Sequence, residues 1–184
     1  MEIVDGVLLG TRQIPSPNHN DRPVGMDIDL LVIHNISLPP GEFGTSSVVD
    51  LFCNQLNSTA HPSFNDLIDL KVSAHLFIRR DGEIIQFVPF NKRAWHAGVS
   101  RFDGREGCND FSIGIELEGT DDIPFTPAQY QQLAKASSSL MQIYSTILPE
   151  RIVGHSDIAP DRKTDPGPAF DWSYYRGLLV SHSD

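Results

Sequence analysis

Apolar residues crowd the segment Ile28 to His34 (Leu30, Leu31, Val32, Ile33) and give way at Asn35 to polar and Pro-rich sequence. That is the pattern of a strand buried on both faces, with His34 at its C-terminal end. From Val72 to Val88 the pattern predicts a hairpin: Val72, Ala74, Leu76 and Ile78 alternate with Ser73, His75 and Phe77, and Asp81-Gly82 supplies the turn before Ile84 to Val88. Phe111 to Leu117 alternates as well, with Phe111, Ile113, Ile115 and Leu117 on one face and Ser112, Gly114 and Glu116 on the other. Glicine inside a strand weakens it unless something approaches the backbone closely, so Gly114 points to a crowded or open surface beside Glu116.

Helical spacing is clearest over 126–145. Thr126 can cap, Pro127 suits the first helical position, Gln129 completes a capping-box spacing, and Tyr130, Leu133, Ser137, Leu140 and Tyr144 form the inward stripe. A shorter helix over 46–56 is expected to bury Val49, Phe52, Cys53 and Leu56, and a last one after Asp171 to turn Trp172, Tyr175 and Leu179 inward. Arg151 to His155 reads as a short strand that again ends in a histidine. Strands interleaved with helices, with one obvious hairpin, predict an α/β (α+β) domain around a central mixed β-sheet flanked by helices. Pro- and Gly-rich punctuation at 14–25, 38–44, 97–107, 119–127 and 159–168 is loop within one domain spanning 1–184, not linker.

Composition narrows the function classes. At 184 residues, 40% hydrophobic and 21% charged, the chain suits one packed domain. A formal net charge of -10 repels polyanions, so nucleic acid is excluded as an expected partner. Basic residues nevertheless gather between Lys71 and Arg105. The N-terminal sequence has acids where an export signal needs basic residues, and no stretch approaches the roughly 20 apolar residues of a membrane span. A cytoplasmic protein with no membrane partner is therefore expected. Cys53 and Cys108 read as reduced structural thiols rather than a disulfide framework.

Of the seven histidines, His34 and His155 each end an apolar run and enter a loop, where functional side chains in α/β sheets emerge. His19, His61 and His182 lie in polar sequence and are expected to be exposed; His75 and His96 neighbour apolar residues and are expected to be buried. In Asp161-Arg162-Lys163-Thr164-Asp165-Pro166-Gly167 the proline biases Asp165 toward extended backbone, so that Lys163 and Asp165 point the same way. Spacing alone leaves this pair equally readable as a surface ion pair, and Glu116 as an exposed strand carboxylate. Two imidazoles and one carboxylate would leave a tetrahedral zinc one position short, the mark of a catalytic site, with Glu116 as general base.

Several long segments match, in order, a known family. Val32-Ile33-His34-Asn35-Ile36-Ser37-Leu38-Pro39-Pro40-Gly41-Glu42-Phe43-Gly44, Val72-Ser73-Ala74-His75, Arg79-Arg80-Asp81-Gly82-Glu83-Ile84, Lys92-Arg93-Ala94-Trp95-His96-Ala97-Gly98, the stretch from Cys108 to Gly119, and Lys163-Thr164-Asp165-Pro166-Gly167-Pro168 together resemble the AmpD branch of the type-2 N-acetylmuramoyl-L-alanine amidases, over roughly residues 14–176. The resemblance implies the amidase and peptidoglycan-recognition-protein fold. It implies a cytoplasmic recycling enzyme that cuts 1,6-anhydro-N-acetylmuramoyl peptides between the lactyl group and L-alanine, with a downstream link to β-lactamase expression. It also implies Zn2+ held by His34, His155 and Asp165, Glu116 as the catalytic carboxylate, and Lys163 as the group that stabilises the charged intermediate. On this reading His75 and His96 are structural.

Substrate contacts are expected from Asn35, Lys71 and Arg105. Lys71 stands where the family leads one to expect arginine, keeping the charge without the bidentate fork; Gly107 stands at another such place, and Arg105 or Arg101 would substitute for it. A small muropeptide is the expected partner, with no obligatory protein partner. Two other readings share the fold: an exported or phage lytic amidase acting on intact cell wall, and a binding module without catalysis. The full set of candidate ligands, together with Glu116 and Lys163, argues against the second.

Overall fold

The computed structural model describes residues 1–67 and 69–180; His182 lies outside them. In chain order the strands are β1 (Ile3–Val4), β2 (Val7–Leu8), β3 (Arg12–Gln13), β4 (His19–Asp21), β5 (Leu30–Ile36), β6 (Leu76–Ile78), β7 (Ile84–Gln86), β8 (Lys92–Ala94), β9 (Arg101–Phe102), β10 (Arg105–Glu106), β11 (Ser112–Glu118) and β12 (Ile152–Gly154). The α-helices are α1 (Ser47–Phe52), α2 (Pro127–Ile143), α3 (His155–Ile158) and α4 (Trp172–Val180).

Six strands form the central sheet in the order β12-β5-β11-β6-β7-β3. The first four run parallel, β6 and β7 form the expected antiparallel hairpin, and β3 lies parallel to β7 at the edge. Three two-stranded ribbons (β1-β2, β4-β8 and β9-β10) decorate it; their strands of two or three residues are too short to leave a periodicity in the sequence. None of the described helices is long and apolar enough to cross a membrane.

Alternation along the two long central strands sorts side chains into two layers. Leu31 and Ile33 of β5 and Ile113, Ile115 and Leu117 of β11 join Leu133, Ala136 and Leu140 of α2 and Tyr175 and Leu179 of α4 in one core. On the opposite face Leu30 and Val32 pack with Ala97, Cys108, Phe111 and Ile158. Farther along that face, Phe77 and Ile85 meet Val48, Leu51 and Phe52 of α1. The polar positions of this second face, His34, Ser112 and Glu116, are buried too. β11 is therefore covered on both sides, and Glu116 is not an exposed strand carboxylate.

α2 begins as its sequence dictates. Thr126 Oγ1 accepts from the Gln129 N–H at 3.1 Å, the Gln129 side chain accepts from the Thr126 N–H at 3.1 Å, and Pro127 occupies the first turn. α1 departs from expectation. It spans only Ser47–Phe52 and buries Val48, Leu51 and Phe52, while Val49, Cys53 and Leu56 are partly buried. Asn54 adopts the left-handed conformation (φ 58) just after Cys53, which ends the helix before Leu56; the buried face lies one position N-terminal to the expected one. His19 and His61 are half-buried rather than exposed, and both cysteines are free.

Because Thr126 Oγ1 also donates to the Arg80 carbonyl at 2.7 Å, Thr126→Ala removes the cap and the tie to the hairpin together. A loss of about 1–2 kcal/mol is expected, measured as a lowered denaturation midpoint, with Thr126→Ser retaining most of the stability.

Candidate active site

The parallel strands aim their C-terminal ends at one cleft. In the register of β5 and β11, Glu116 lies directly beside His34, and β12 runs into His155, the first residue of α3. His34 is thus not the last residue of its strand, which continues through Asn35 and Ile36. The third ligand candidate arrives from a loop. Ser156 N–H donates to the Asp165 carbonyl at 3.0 Å, and a Cβ on Gly154 would come within 2.8 Å of Pro166 Cδ, so glycine at 154 lets the Asp165 loop close onto the start of α3.

Three donor atoms meet there. His34 Nδ1 lies 3.0 Å from His155 Nδ1 and 3.0 Å from Asp165 Oδ2, and His155 Nδ1 lies 3.1 Å from the same oxygen. A tetrahedral ion about 2.0–2.1 Å from three such atoms sets them about 3.3 Å apart, so this near-equilateral triangle fits a divalent metal with almost no rearrangement. Among the described residues these three are the set that meets the geometry of a metal cluster. The outer nitrogens are occupied: His155 Nε2 faces the Ala97 carbonyl at 3.0 Å, and His34 Nε2 faces His96 Nδ1 at 2.9 Å. Each imidazole therefore turns Nδ1 toward the cleft.

Burial sets the charges. It holds His34 down at about 4, with the charge of His155 adding to the effect and the hydrogen bond to Asp165 opposing it, so the imidazole is neutral at neutral pH, as a ligand must be. Burial would raise Asp165, but the hydrogen bonds and charges of the two imidazoles outweigh it and hold the carboxyl below its ordinary range. Glu116 goes the other way. Burial, and then the negative charge of Asp165, push it well above the ordinary carboxyl range, with the ammonium of Lys163 opposing. Glu116 Oε2 is buried without a hydrogen-bond partner. Two carboxyls driven apart by their surroundings, one ionised and one ready to take or give a proton, are what an acid–base centre beside a metal requires.

A cavity of about 280 Å³ opens on this group, lined on its polar side by Asn35, His96, Glu116, His155, Lys163 and Asp165. Leu51 and Phe52 of α1, Leu67, Leu70 and Val72 form an apolar wall. Lys163 and Asp165 border it together, as expected from their spacing. Asn35 Nδ2 donates to Asp121 Oδ1 at 2.8 Å, which fixes the orientation of that amide. Lys71 is exposed between two cavity-lining residues, Leu70 and Val72, and pairs with no carboxylate among the described residues.

The structure does not bring Arg105 to the cleft. Its Nη2 meets both oxygens of Asp29 at 2.7 Å, and its guanidinium lies 3.8 Å over the Phe111 ring. Asp29 precedes β5, so Arg105 sits at the opposite end of that strand from His34. Arg101 and Gly107 line a separate cavity of about 620 Å³ with Gly98, Glu106 and Arg162. Sequence reasoning also set His96 aside as structural, whereas it borders the cavity and touches His34. The signal lay in Gly114: a Cβ there would fall 2.4 Å from His96 Cγ, so the glycine is the space the imidazole fills. His75 is structural as expected, with Nδ1 accepting from the Gly114 N–H and Nε2 facing the Lys92 carbonyl, both at 3.0 Å.

Residues 24–168 match the family model described as N-acetylmuramoyl-L-alanine amidase. The chain is 58% identical over 179 residues to the 1,6-anhydro-N-acetylmuramyl-L-alanine amidase AmpD of Escherichia coli (strain K12), covering 97% of each. It is 53% identical over 174 residues to AmpD of Haemophilus influenzae, covering 95% of each. It superposes on a crystal structure of a Se-Met AmpD derivative with a TM-score of 0.95 at 55% identity, covering 97% of this chain and 99% of that one. The amidase AmiD of E. coli, in complex with the substrate anhydro-N-acetylmuramic acid-L-Ala-D-γ-Glu-L-Lys, matches with a TM-score of 0.60 at 32% identity, covering 85% of this chain and 60% of that one.

Placing Arg105 on Asp29 has a measurable consequence. Arg105→Ala is expected to lower stability by about 1 kcal/mol, through lost stacking and a partly screened ion pair, without altering the affinity of the cleft for ligand. Thermal denaturation and ligand titration separate the two effects, and a weakened ligand affinity at unchanged stability would contradict the assignment.

Proposed function

The chain belongs to the N-acetylmuramoyl-L-alanine amidase family, and from that premise we propose that it hydrolyses the amide between the lactyl group of 1,6-anhydro-N-acetylmuramic acid and L-alanine in cytoplasmic muropeptides during peptidoglycan recycling, with a zinc ion held by His34, His155 and Asp165. The observation that carries the reading is the triangle of His34 Nδ1, His155 Nδ1 and Asp165 Oδ2, with the partnerless Glu116 carboxyl beside it in a half-apolar cleft. Two imidazoles with a carboxylate, and no thiolate, suit zinc in a site that keeps a position free. When bound, zinc supplies Lewis acidity, polarising the scissile carbonyl and lowering the pKa of a coordinated water toward about 7.

The remaining steps belong to the side chains. Glu116 takes the proton of the attacking water and delivers it to the departing alanine nitrogen; burial raises its proton affinity, so its carboxylate takes that proton more readily than a solvated one would and holds it until the more basic nitrogen accepts it. Lys163 sets an ammonium beside the oxygen on which negative charge develops. Asn35, its Nδ2 held by Asp121 and its Oδ1 without a partner among the described residues, offers an acceptor to the substrate. The wall of Leu51, Phe52, Leu67, Leu70 and Val72 shelters the reacting bond from bulk water. Lys71 is left at the rim, where it meets the carboxylates of the peptide stem.

Freshly purified protein is expected to contain about one zinc per chain, to lose activity on chelation and to regain it with added zinc. It should release peptide from a 1,6-anhydro-muropeptide faster than from intact sacculus. Active protein free of metal would remove the zinc, and preference for sacculus would reject the recycling role in favour of a lytic one.

Glu116→Gln keeps the size of the side chain and removes its base. Turnover should fall by about a hundredfold to ten-thousandfold with zinc content unchanged, and Lys163→Ala by about a hundredfold to a thousandfold. Steady-state kinetics beside metal analysis checks both, and near-native turnover in either variant would strip that residue of its role.

A further inference from the structure

We propose that His96 and Ser112 form a one-way hydrogen-bond relay that fixes the tautomer of His34 and so holds its Nδ1 bare for the metal; the inference deepens, and rests on, the metal-site reading above. The chain starts at a group that has no choice. The Cys108 carbonyl can only accept, and Ser112 Oγ donates to it at 2.6 Å. The single hydroxyl proton of Ser112 is thereby committed. His96 Nε2, 3.1 Å from the same oxygen, must then be the donor of that contact.

A neutral imidazole carries one N–H. With His96 protonated on Nε2, its Nδ1 is an acceptor, and the 2.9 Å contact to His34 Nε2 requires His34 to donate. His34 is left with a lone pair on Nδ1, the atom 3.0 Å from both His155 Nδ1 and Asp165 Oδ2. Reversing one link alone would leave two donors or two acceptors facing each other in a buried site, and reversing the whole chain would give up the 2.6 Å bond from Ser112 to the Cys108 carbonyl that sets its direction. His155 is fixed more simply, by donating Nε2–H to the Ala97 carbonyl.

The surroundings are built to keep this order. His34, Ser112 and His96 are at most 9% exposed. Gly114 leaves the space occupied by the His96 ring, and Asn109 Oδ1 accepts from the backbone N–H groups of His96 and Ala97 at 3.1 and 2.8 Å, holding the segment that carries both second partners. Ser112 touches none of the three ligands. It is a positioning residue that acts through His96, which acts through His34.

The experiment pairs a tautomer measurement with a metal titration. In chelated wild-type protein, long-range proton–nitrogen correlation spectra should show both His34 and His96 protonated on Nε2. Ser112→Ala, which frees His96 to reverse, should bind zinc about tenfold or more weakly in a competition titration while the chelated protein keeps its circular-dichroism spectrum. His96→Leu should weaken binding further, and His96→Asn, which can restore an acceptor near the Nδ1 position, should recover part of it. His34 protonated on Nδ1 in the chelated wild type, or unchanged zinc affinity in Ser112→Ala, overturns the relay. Should Ser112→Ala not fold, the wild-type tautomers decide alone. If the tautomers are as stated but the wild type takes up no zinc, the metal reading fails and the relay stands.

Discussion

Everything at the cleft depends on the parallel pairing of β5 with β11, in which Glu116 stands beside His34. Side chains alternate along a strand, so a slip of one residue would send Glu116 into the layer under α2 and α4 and bring Leu117 or Ile115 to the cleft. The apolar residues prevent it. Leu31, Ile33, Ile113, Ile115 and Leu117 all belong to the core beneath the helices, and a slip would expose that whole set to the polar side. The same hydrophobic burial that stabilises the sheet therefore fixes the spacing of the reacting groups, and no separate device is needed to hold Glu116 against His34.

The second face of the sheet carries the opposite burden. His34, Ser112, Glu116, His75, His96 and His155 are all buried there, and each would be costly to desolvate without partners. The imidazoles meet this cost through directed contacts that end on the carbonyls of Cys108, Lys92 and Ala97. Arg22 donates to the carbonyls of Phe90, Asn109, Asp110 and Ser112, closing the backbone around the group from below. Glu116 Oε2 is the exception, buried without a hydrogen-bond partner.

What the sequence made legible follows from which interactions are local. β5, β11, the β6–β7 hairpin and the capped α2 are written in period and turn chemistry and appear where the pattern puts them, except that Phe111, just before β11 begins, packs on the opposite face from Ile113, Ile115 and Leu117. His34 could be picked out because it closes a continuous apolar run, and Glu116 because it stands on the polar face of a cleanly alternating strand. Asp165 and Lys163 could be ordered relative to each other, but nothing local says that their loop closes on α3; that depends on Ser156 and on the missing side chain at Gly154. His96 was passed over because its partners, at positions 34 and 112, are distant in sequence. Arg105 was misjudged for the converse reason: a basic residue in a loop looks like a free cation until Asp29, remote in sequence, is found beside it. In α1 the apolar residues were read correctly as helical, but Val48, Val49, Leu51, Phe52 and Cys53 run almost without polar interruption, so local spacing does not say which of them face inward, and contact with Phe77 and Ile85 decides it.

Fixing both imidazoles has a further physical consequence. With Nε2–H of His34 committed to His96 and Nε2–H of His155 to Ala97, two nitrogen lone pairs and an ionised carboxylate oxygen are pressed to within 3.0–3.1 Å of one another. With both Nδ1 atoms bare the three facing acceptors repel one another in a site of low polarity, and a proton shared between an imidazole and Asp165 relieves that repulsion at one contact at a time. At His34 such a proton must either reverse the outer hydrogen bond to His96 or charge an imidazole that its surroundings hold down at about 4. A divalent cation relieves all three contacts at once and leaves the outer bonds untouched. If the triangle holds a cation as proposed, the stability of this end of the sheet is tied to metal uptake.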